Sequence, residues 1–469
     1  MNPPVFVVVG HVNRGKSSIV STLAADDSVR IDAMPGTTRH CREFPMRVAG
    51  QTLYTLVDTP GFERPRQVLA WLKQHESSTA ERRRVVEDFV RQHQLRGEFA
   101  QERELLGPIL AGAAILYVVD GSKPPSPKYE AEMEILRWTA QPRVALINST
   151  GPEDYGPAWH AMLDQFFNMV RPFNAHQADF PQRLRLLRML CEMSEATRAP
   201  LERAIEALVA DRQASLREAG EVMAEMLVEM LTYVEEKRLA TGVDPQPHRE
   251  ALAEKYYDQL RRCERGGHQR LKRIFLHHQL EVSEARLEIA GEDLFDLETW
   301  NRLGLSRTQL TAAGAAAGAL AGGMVDVASA AVSFPLGTLV GGATGGAASW
   351  YAATKLPEVK IHGFPLGGQL LKIGPMQNPG FPWVVLDRAL LYVDAVADRP
   401  HAVRGQIRLE ADDAGRGIVG GLDATTRKTV EGCLAGLRRQ PNPETRDQIC
   451  RDLGEQIHHI LQIRHPPDT

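Results

Sequence analysis

Hydrophobic positions along the chain fall into different kinds of run. Short, continuous runs dominate the first 180 residues: Val5–Val9, Leu53–Val57, the stretch from Ile115 to Ser122, and the stretch from Arg143. Each is strand-length and β-branched-rich, and turn residues follow, which predicts buried strands. From Gln182 to about Leu305 the spacing becomes helical. Ala, Leu, Met, Glu and Arg dominate there, and "TGVDPQPH" at 241–248 is the main break. This predicts long antiparallel or coiled helices. After Leu356, strand-length apolar runs broken by Gly, Pro and Asn predict a small β-containing module, and 423–463 reads as helix again.

A third pattern separates these regions. Residues 311–354 carry one charge, Asp326. Gly314, Gly318 and Gly322 recur every four residues, as do Gly337, Gly341 and Gly345, with Pro335 between the sets. These are glycine-zipper spacings, which predict two helices folded into a tight hairpin, each about bilayer length. Three readings stand: a hairpin in or against a membrane, a hairpin buried in the helical region, or docking onto a membrane partner. Ala and Gly drive insertion weakly and Asp326 opposes it, whereas Trp350, Tyr351 and Lys355 resemble an interfacial anchor.

Composition narrows the class. The chain has 469 residues, 43% hydrophobic and 24% charged, with a net charge of -4. This is globular composition spread over two or three domains, and the charge balance makes no case for a nucleic-acid partner. Arg82–Arg84 reads as a solvated helix face. Five scattered cysteines (41, 191, 263, 433 and 450) without metal-ligand spacing read as free thiols. The pairs His277–His278 and His458–His459 are adjacent, so neither can aim two rings at one metal. Asp387–Arg388 and Arg399–His401 are conspicuous polar clusters, which surface ion pairs explain at least as well as a site does. The N-terminus shows no signal-peptide pattern, so a cytoplasmic location is expected.

The chemistry concentrates near the N-terminus. "GHVNRGKSS", Gly10–Ser18, follows a strand and opens a helix. It fits G-x-x-x-x-G-K-S, in which loop amides cradle phosphate oxygens. Lys16 is positioned for β/γ-phosphates and the Ser17 hydroxyl for Mg²⁺, with Asn13, Arg14, Gly15 and Ser18 completing the loop. "DTPG", Asp58–Gly61, follows the next strand: an acid there can hold Mg²⁺ through a water, and the Gly61 amide can meet a γ-phosphate and report its presence. "MPGTTRH", Met34–His40, lies between, and a Thr there can supply a second Mg²⁺ oxygen.

Together these motifs resemble the TRAFAC-class small GTPases, specifically the Era/TrmE-like group, over about residues 4–180. The resemblance implies an α/β P-loop GTPase domain, a mostly parallel sheet with one antiparallel hairpin turning at Gly50. It implies Thr38 as the Mg²⁺ threonine, with Thr37 the second choice. In this group an Asn at the position of Asn13 helps ligate K⁺, so K⁺-stimulated turnover is expected; the alternative is that Asn13 braces the loop. Phe62 stands where other GTPases place a water-positioning Gln, as in the resembled group. The N-K-x-D base motif is degraded here to Asn148-Ser149-Thr150-Gly151. Asn148 is retained, Glu153 or Asp154 is a candidate substitute for the missing acid, and GTP is preferred over ATP. "FNAH", Phe173–His176, lies where the S-A-K motif would fall.

More than fifty residues separate Gly61 from Ile115, with charged helical character. Two or three helices are expected there, as an effector surface or a structural elaboration. The whole chain resembles a bacterial family that joins an Era-like GTPase domain to a further C-terminal region. The expected division is a GTPase domain at 1–181 with a helical insertion at about 63–106, a helical domain at 182–309, the glycine-zipper hairpin at 310–355, and an α+β module at 356–469. The expected function is GTP hydrolysis as a conformational switch at or near the inner membrane, with Lys16, Thr38 and Gly61 catalytic. A weakly hydrolysing, nucleotide-gated scaffold for a membrane partner is the alternative. Expected partners are GTP or GDP, a membrane or membrane protein through 311–354, and a second copy if nucleotide drives dimerisation.

Overall fold

The computed structural model describes residues 3–10, 16–24, 40–149, 151–175, 178–240, 242–275, 351–355, 360–361, 364–365, 368–397 and 417–466. The N-terminal part is built on a six-stranded sheet of β1 (Val5–Val9), β2 (Arg42–Val48), β3 (Gln51–Asp58), β4 (Ala114–Asp120), β5 (Arg143–Asn148) and β6 (Met169–Pro172). Their order is β2-β3-β1-β4-β5-β6. β2 and β3 pair antiparallel and the other neighbours are parallel. Every residue of β4 is buried, as a strand covered on both faces requires. The β2–β3 turn falls at Ala49 and Gly50, both with positive φ.

Helix α1 (Lys16–Ala24) packs on one face of the sheet, where Tyr54 donates its hydroxyl hydrogen to the Leu23 carbonyl at 2.6 Å. The stretch after Gly61 forms α2 (Pro65–His75), α3 (Arg82–Arg96) and α4 (Ala100–Leu110), as its charged helical pattern implies. They bury Val68, Leu72, Phe89, Leu105, Leu106 and Ile109 against the other face. Arg82 is not simply solvated, because it pairs with Glu76 at 2.6 Å and lies over the Trp138 ring. Helices α5 (Glu130–Trp138) and α6 (Gly156–Leu163) complete the layer.

The helices α7 (Phe180–Cys191) and α8 (Glu195–Thr232) follow. Leu201, Ala204 and Leu208 of α8 belong to the core of the N-terminal sheet, whereas Leu216 to Leu231 belong to a second core. Arg212 sits between them, its guanidinium donating to the Ala397 carbonyl at 2.8 Å and lying over Phe180 and Phe275.

The expectation that 182–305 is helical apart from the break at 241–248 is corrected by β7 (Glu235–Ala240), which precedes α9 (Gln246–Ile274). Its residues have ordinary helix propensity, but tertiary pairing overrides that prior. With β8 (Tyr351–Lys355), the two-residue strands β9 (Lys360–Ile361) and β10 (Phe364–Pro365), and β11 (Gly368–Ile373), the strand set is complete among the described residues. β7, β11 and β8 form an antiparallel sheet in that order, and Lys372 pairs with Glu236 across it at 3.2 Å. β8 also corrects the end of the glycine-zipper reading: Tyr351–Thr354 extend as strand because β11 satisfies their backbone groups. Residues 310–350, with the zipper glycines, Asp326 and Pro335, lie outside the described residues.

The apolar run after Pro379 is α10 (Phe381–Ala397), a helix buried almost all round, rather than strands. Helices α11 (Ala424–Arg438) and α12 (Pro443–Arg464) close the chain. Gly220 of α8 lets α12 approach closely: a Cβ there would sit 2.9 Å from the Gly454 carbonyl oxygen and 3.0 Å from the His458 nitrogen. Asp387 and Arg388 are not surface ion pairs. Arg388 binds Glu264 through two hydrogen bonds of 2.6 and 3.2 Å, and Asp387 accepts from the Val419 amide at 3.0 Å, all buried. Residues 399–401 and His277–His278 lie outside the described residues. The segments read as a helical domain and a separate α+β module thus share one sheet and one core. No helix among the described residues is long and apolar enough to cross a membrane.

Candidate nucleotide site

The C-terminal ends of β1, β3, β4 and β5 open on the same edge of the sheet, the place where ligands bind in open parallel sheets. Gly10 leaves β1 with φ +153°, and a Cβ there would lie 2.3 Å from the Val118 carbonyl oxygen. A side chain at this point would force the end of β1 away from β4.

Lys16 and Ser17 open α1. The Ser17 hydroxyl donates to the Asp58 carboxylate at 3.0 Å, joining the head of α1 to the end of β3. Lys16 is 8% exposed. Burial pushes its ammonium below the ordinary lysine range, and the charges of Asp58 and Glu132 work against that shift. Ser18 is buried beside them. Asn13, Arg14, Gly15, Thr37 and Thr38 lie outside the described residues.

Asp58 and Gly61 are both buried where β3 ends. Thr59, which the motif reading passed over, donates its hydroxyl hydrogen to the Val8 carbonyl at 2.7 Å and pins this segment to β1. Phe62 points into the core that contains Val68 and Leu105. The backbone just beyond is held by α4: one carboxyl oxygen of buried Glu102 accepts from the Glu63 amide at 3.0 Å and the Arg64 amide at 2.5 Å. Nothing in the composition of the insertion marks Glu102 among its many acids.

Asn148 is fully buried at the end of β5. Its side-chain oxygen accepts from the Ala175 amide at 3.1 Å, and Thr22 of α1 donates to the Ala175 carbonyl at 2.9 Å. "FNAH" therefore does meet Asn148. The substitute acids do not converge on it. Glu153 is exposed, and exposed Asp154 accepts from the Gly156 amide at 2.8 Å at the start of α6. The buried acid beside Asn148 is instead Asp120, its partner across the β4–β5 ladder, which accepts from the Ser122 amide at 3.0 Å and pairs with Lys123 at 3.3 Å. Among the described residues no group of His, Cys, Asp and Glu forms a metal cluster, and the five cysteines are free.

Residues 160–459 match the family model described as a domain of unknown function, DUF3482. The chain belongs to this family. Residues 5–149 match the model described as a 50S ribosome-binding GTPase. GTPase Der of Mycoplasma pneumoniae is 30% identical over 148 residues, which is 31% of this chain and 27% of Der. The tRNA modification GTPase MnmE of Granulibacter bethesdensis is 40% identical over 57 residues, 12% of this chain and 13% of MnmE. The chain thus spans about a quarter, or less, of the length of these relatives. Aquifex aeolicus Era bound to GDP and AlF4⁻ aligns at 16% identity and a TM-score of 0.27, covering 52% of this chain and 76% of Era. The N-terminal part of the DUF3482 chain is similar to GTPase domains, those of Der and MnmE among them, and has an α/β P-loop fold.

Proposed function

We propose that this chain hydrolyses GTP to GDP and phosphate and uses the two states as a switch. The 3.0 Å hydrogen bond between Ser17 and Asp58, beside buried Lys16, supports the reading best. A hydroxyl oxygen and a carboxylate oxygen from two elements converge there, a donor set suited to a hard cation such as Mg²⁺. When bound, Mg²⁺ supplies positive charge between the β- and γ-phosphates.

In this reading Ser17, Asp58 and Thr38 hold the metal, Asp58 through a water. Lys16 and the loop amides of Asn13, Arg14 and Gly15 bind phosphate oxygens, with Ser18 beside them. Lys16 stabilises the charge that develops on the leaving phosphates, and the Gly61 amide meets the γ-phosphate. Lys16 is well suited to this work, since it is buried at the head of α1 among the charges of Asp58 and Glu132. Asn148 shapes the base side through Ala175. Asn13 is the proposed K⁺ ligand, and K⁺ there supplies charge that would otherwise come from an arginine. The proposed architecture is a nucleotide domain at 1–181 followed by one unit spanning both later segments, since they share a core. Membrane contact through 311–354 and nucleotide-dependent dimerisation remain proposals from the sequence.

A second reading, a nucleotide-gated scaffold that seldom turns over, is favoured by Phe62. The side chain after Gly61 is buried, so it cannot orient an attacking water. Calorimetric titration with GTP, GDP and an ATP analogue tests the first premise, with tight binding of both guanine nucleotides expected. Phosphate release over many turnovers, faster in KCl than in NaCl at equal ionic strength, is expected of the hydrolysing switch; a single slow turnover marks the scaffold.

A further inference from the structure

Helix α4 reaches back to two other chain segments, the turn after Gly61 and the start of β2 at Cys41. Its third residue, Glu102, is fully buried, and one of its oxygens accepts from the amides of Glu63 and Arg64, directly after Gly61 and Phe62. Two residues on, Glu104 accepts from the Cys41 amide at 3.0 Å, and its carbonyl receives the Cys41 thiol hydrogen at 3.2 Å. Cys41 directly follows the stretch 34–40. The Cys41 thiol is pushed up to about 12 by burial first and by Glu104, Asp58 and Glu43 after it, so it stays a neutral donor.

The second oxygen of Glu102 is buried and has no hydrogen-bond partner among the described residues. A buried carboxyl with an idle oxygen is costly, and α4 contributes Leu105, Leu106 and Ile109 to an apolar core in which an apolar side chain would carry no such cost. Packing therefore does not account for an acid here, whereas the two switch-side amides do. The helix is also shaped to present it. Glu102 lies in the first turn of α4, where the helix dipole favours a carboxylate. That turn begins at Phe99 with φ +51°, a conformation uncommon for an aromatic residue. Phe99 packs against Phe89 and His93 of α3, and the Arg64 guanidinium lies 5.9 Å from its ring.

We propose that Glu102 is a positioning residue for the hydrolysis step, fixing the turn after Gly61 through the Glu63 and Arg64 amides. With Glu104 on the Cys41 amide, it makes the inserted α3–α4 pair the brace that sets both segments at once. The proposal rests on the GTPase reading for its kinetic consequence and on geometry alone for the brace.

Full-length chain, Glu102→Ala, Glu102→Asp and Glu102→Gln are compared in steady-state GTP hydrolysis, fluorescent GDP binding, and hydrogen exchange of the peptide spanning 59–66. Glu102→Ala is expected to lower kcat by about 30-fold while KM and GDP affinity stay within about threefold, because misplacement affects the chemical step more than binding. Glu102→Gln, whose amide oxygen still accepts both hydrogen bonds, is expected within about threefold of the unsubstituted kcat. Glu102→Asp, a methylene too short, is expected to behave like Ala and decides the matter if Glu102→Ala does not fold. Exchange at 59–66 is expected to accelerate in Ala and Asp but not in Gln. An unchanged kcat in Ala and Asp overturns the proposal. So does an equal loss in Asp and Gln, which marks a packing role. If the unsubstituted chain binds no GTP, the GTPase reading falls instead, and hydrogen exchange alone then confirms or overturns the brace.

Discussion

The two cores bury polar groups in different ways. Around the N-terminal sheet, Lys16, Asp58, Thr59 and Asn148 gather at the ends of neighbouring strands and the head of α1. In the C-terminal core, buried polar groups answer one another: Glu264 with Arg388, Asp387 with the Val419 amide, and Trp383 with Glu431 at 3.1 Å. Groups that cancel pairwise specify packing and leave little for a ligand. The N-terminal groups are hydrogen-bonded too, Asp58 to Ser17, Thr59 to the Val8 carbonyl and Asn148 to the Ala175 amide, but they converge on one edge of the sheet instead of cancelling in separate pairs.

The sharpest test of that contrast is the buried ion pair. Glu264→Ala is expected to destabilise the C-terminal core by about 3–5 kcal/mol, because Arg388 is left charged and buried. Urea unfolding measures it, and replacing both residues together (Glu264→Met with Arg388→Leu) is expected to recover most of the loss. Nucleotide affinity measured alongside should not move; a parallel loss of GTP binding would erase the distinction between the cores. The mirror experiment is Lys16→Ala, expected to weaken GTP binding by about 100-fold through lost charge-assisted hydrogen bonds, with the unfolding midpoint of the C-terminal core unchanged.

A smaller effect refines the picture on the nucleotide side. Thr59→Val keeps the shape but loses the bond to the Val8 carbonyl, and a destabilisation of about 1 kcal/mol is expected in thermal unfolding. The smallest concerns pH and the α8–α12 crossing. Burial lowers the pKa of His458, with Arg217 and His459 adding to the shift and the Leu216 backbone and Glu221 opposing it. The folded protein then binds this proton less readily than the unfolded chain. Stability is therefore full above the unfolded value of about 6.5 and falls as pH drops below it. His458→Gln should flatten that slope in unfolding curves recorded below about pH 6.5.

The same contrast explains what the sequence made legible. Glycine loops, a Lys-Ser at a helix start and an acid at a strand end are local chemistry, so β1, α1, β3 and the hairpin could be read from short windows. The C-terminal sheet is not local. β7 finds β11 across the whole of α9 and the residues beyond it, and its Glu-Glu-Lys-Arg composition carries no strand signal of its own. Asp387 and Arg388 read as surface residues because their partners, Val419 and Glu264, lie far away in sequence. Glu102 was illegible for a related reason: an acid on a charged helix shows its role only when the backbone it holds is known. On the base side, Asn148 and "FNAH" were found separately, and the hydrogen bond from the Ala175 amide joins them.

Helix α8 gives the two cores a mechanical relation. Its 38 residues span about 57 Å, with one end embedded beside α1 and the sheet and the other beside α12. One rigid element is thus shared by both cores, so a displacement at either end would be carried along the helix to the other. A tilt of about 5° at Glu195 would displace Gly220, about 37 Å along the helix, sideways by roughly 3 Å. A shift of that size would have to be absorbed where Gly220 meets the Gly454 carbonyl and the His458 nitrogen, the tightest point of the crossing with α12.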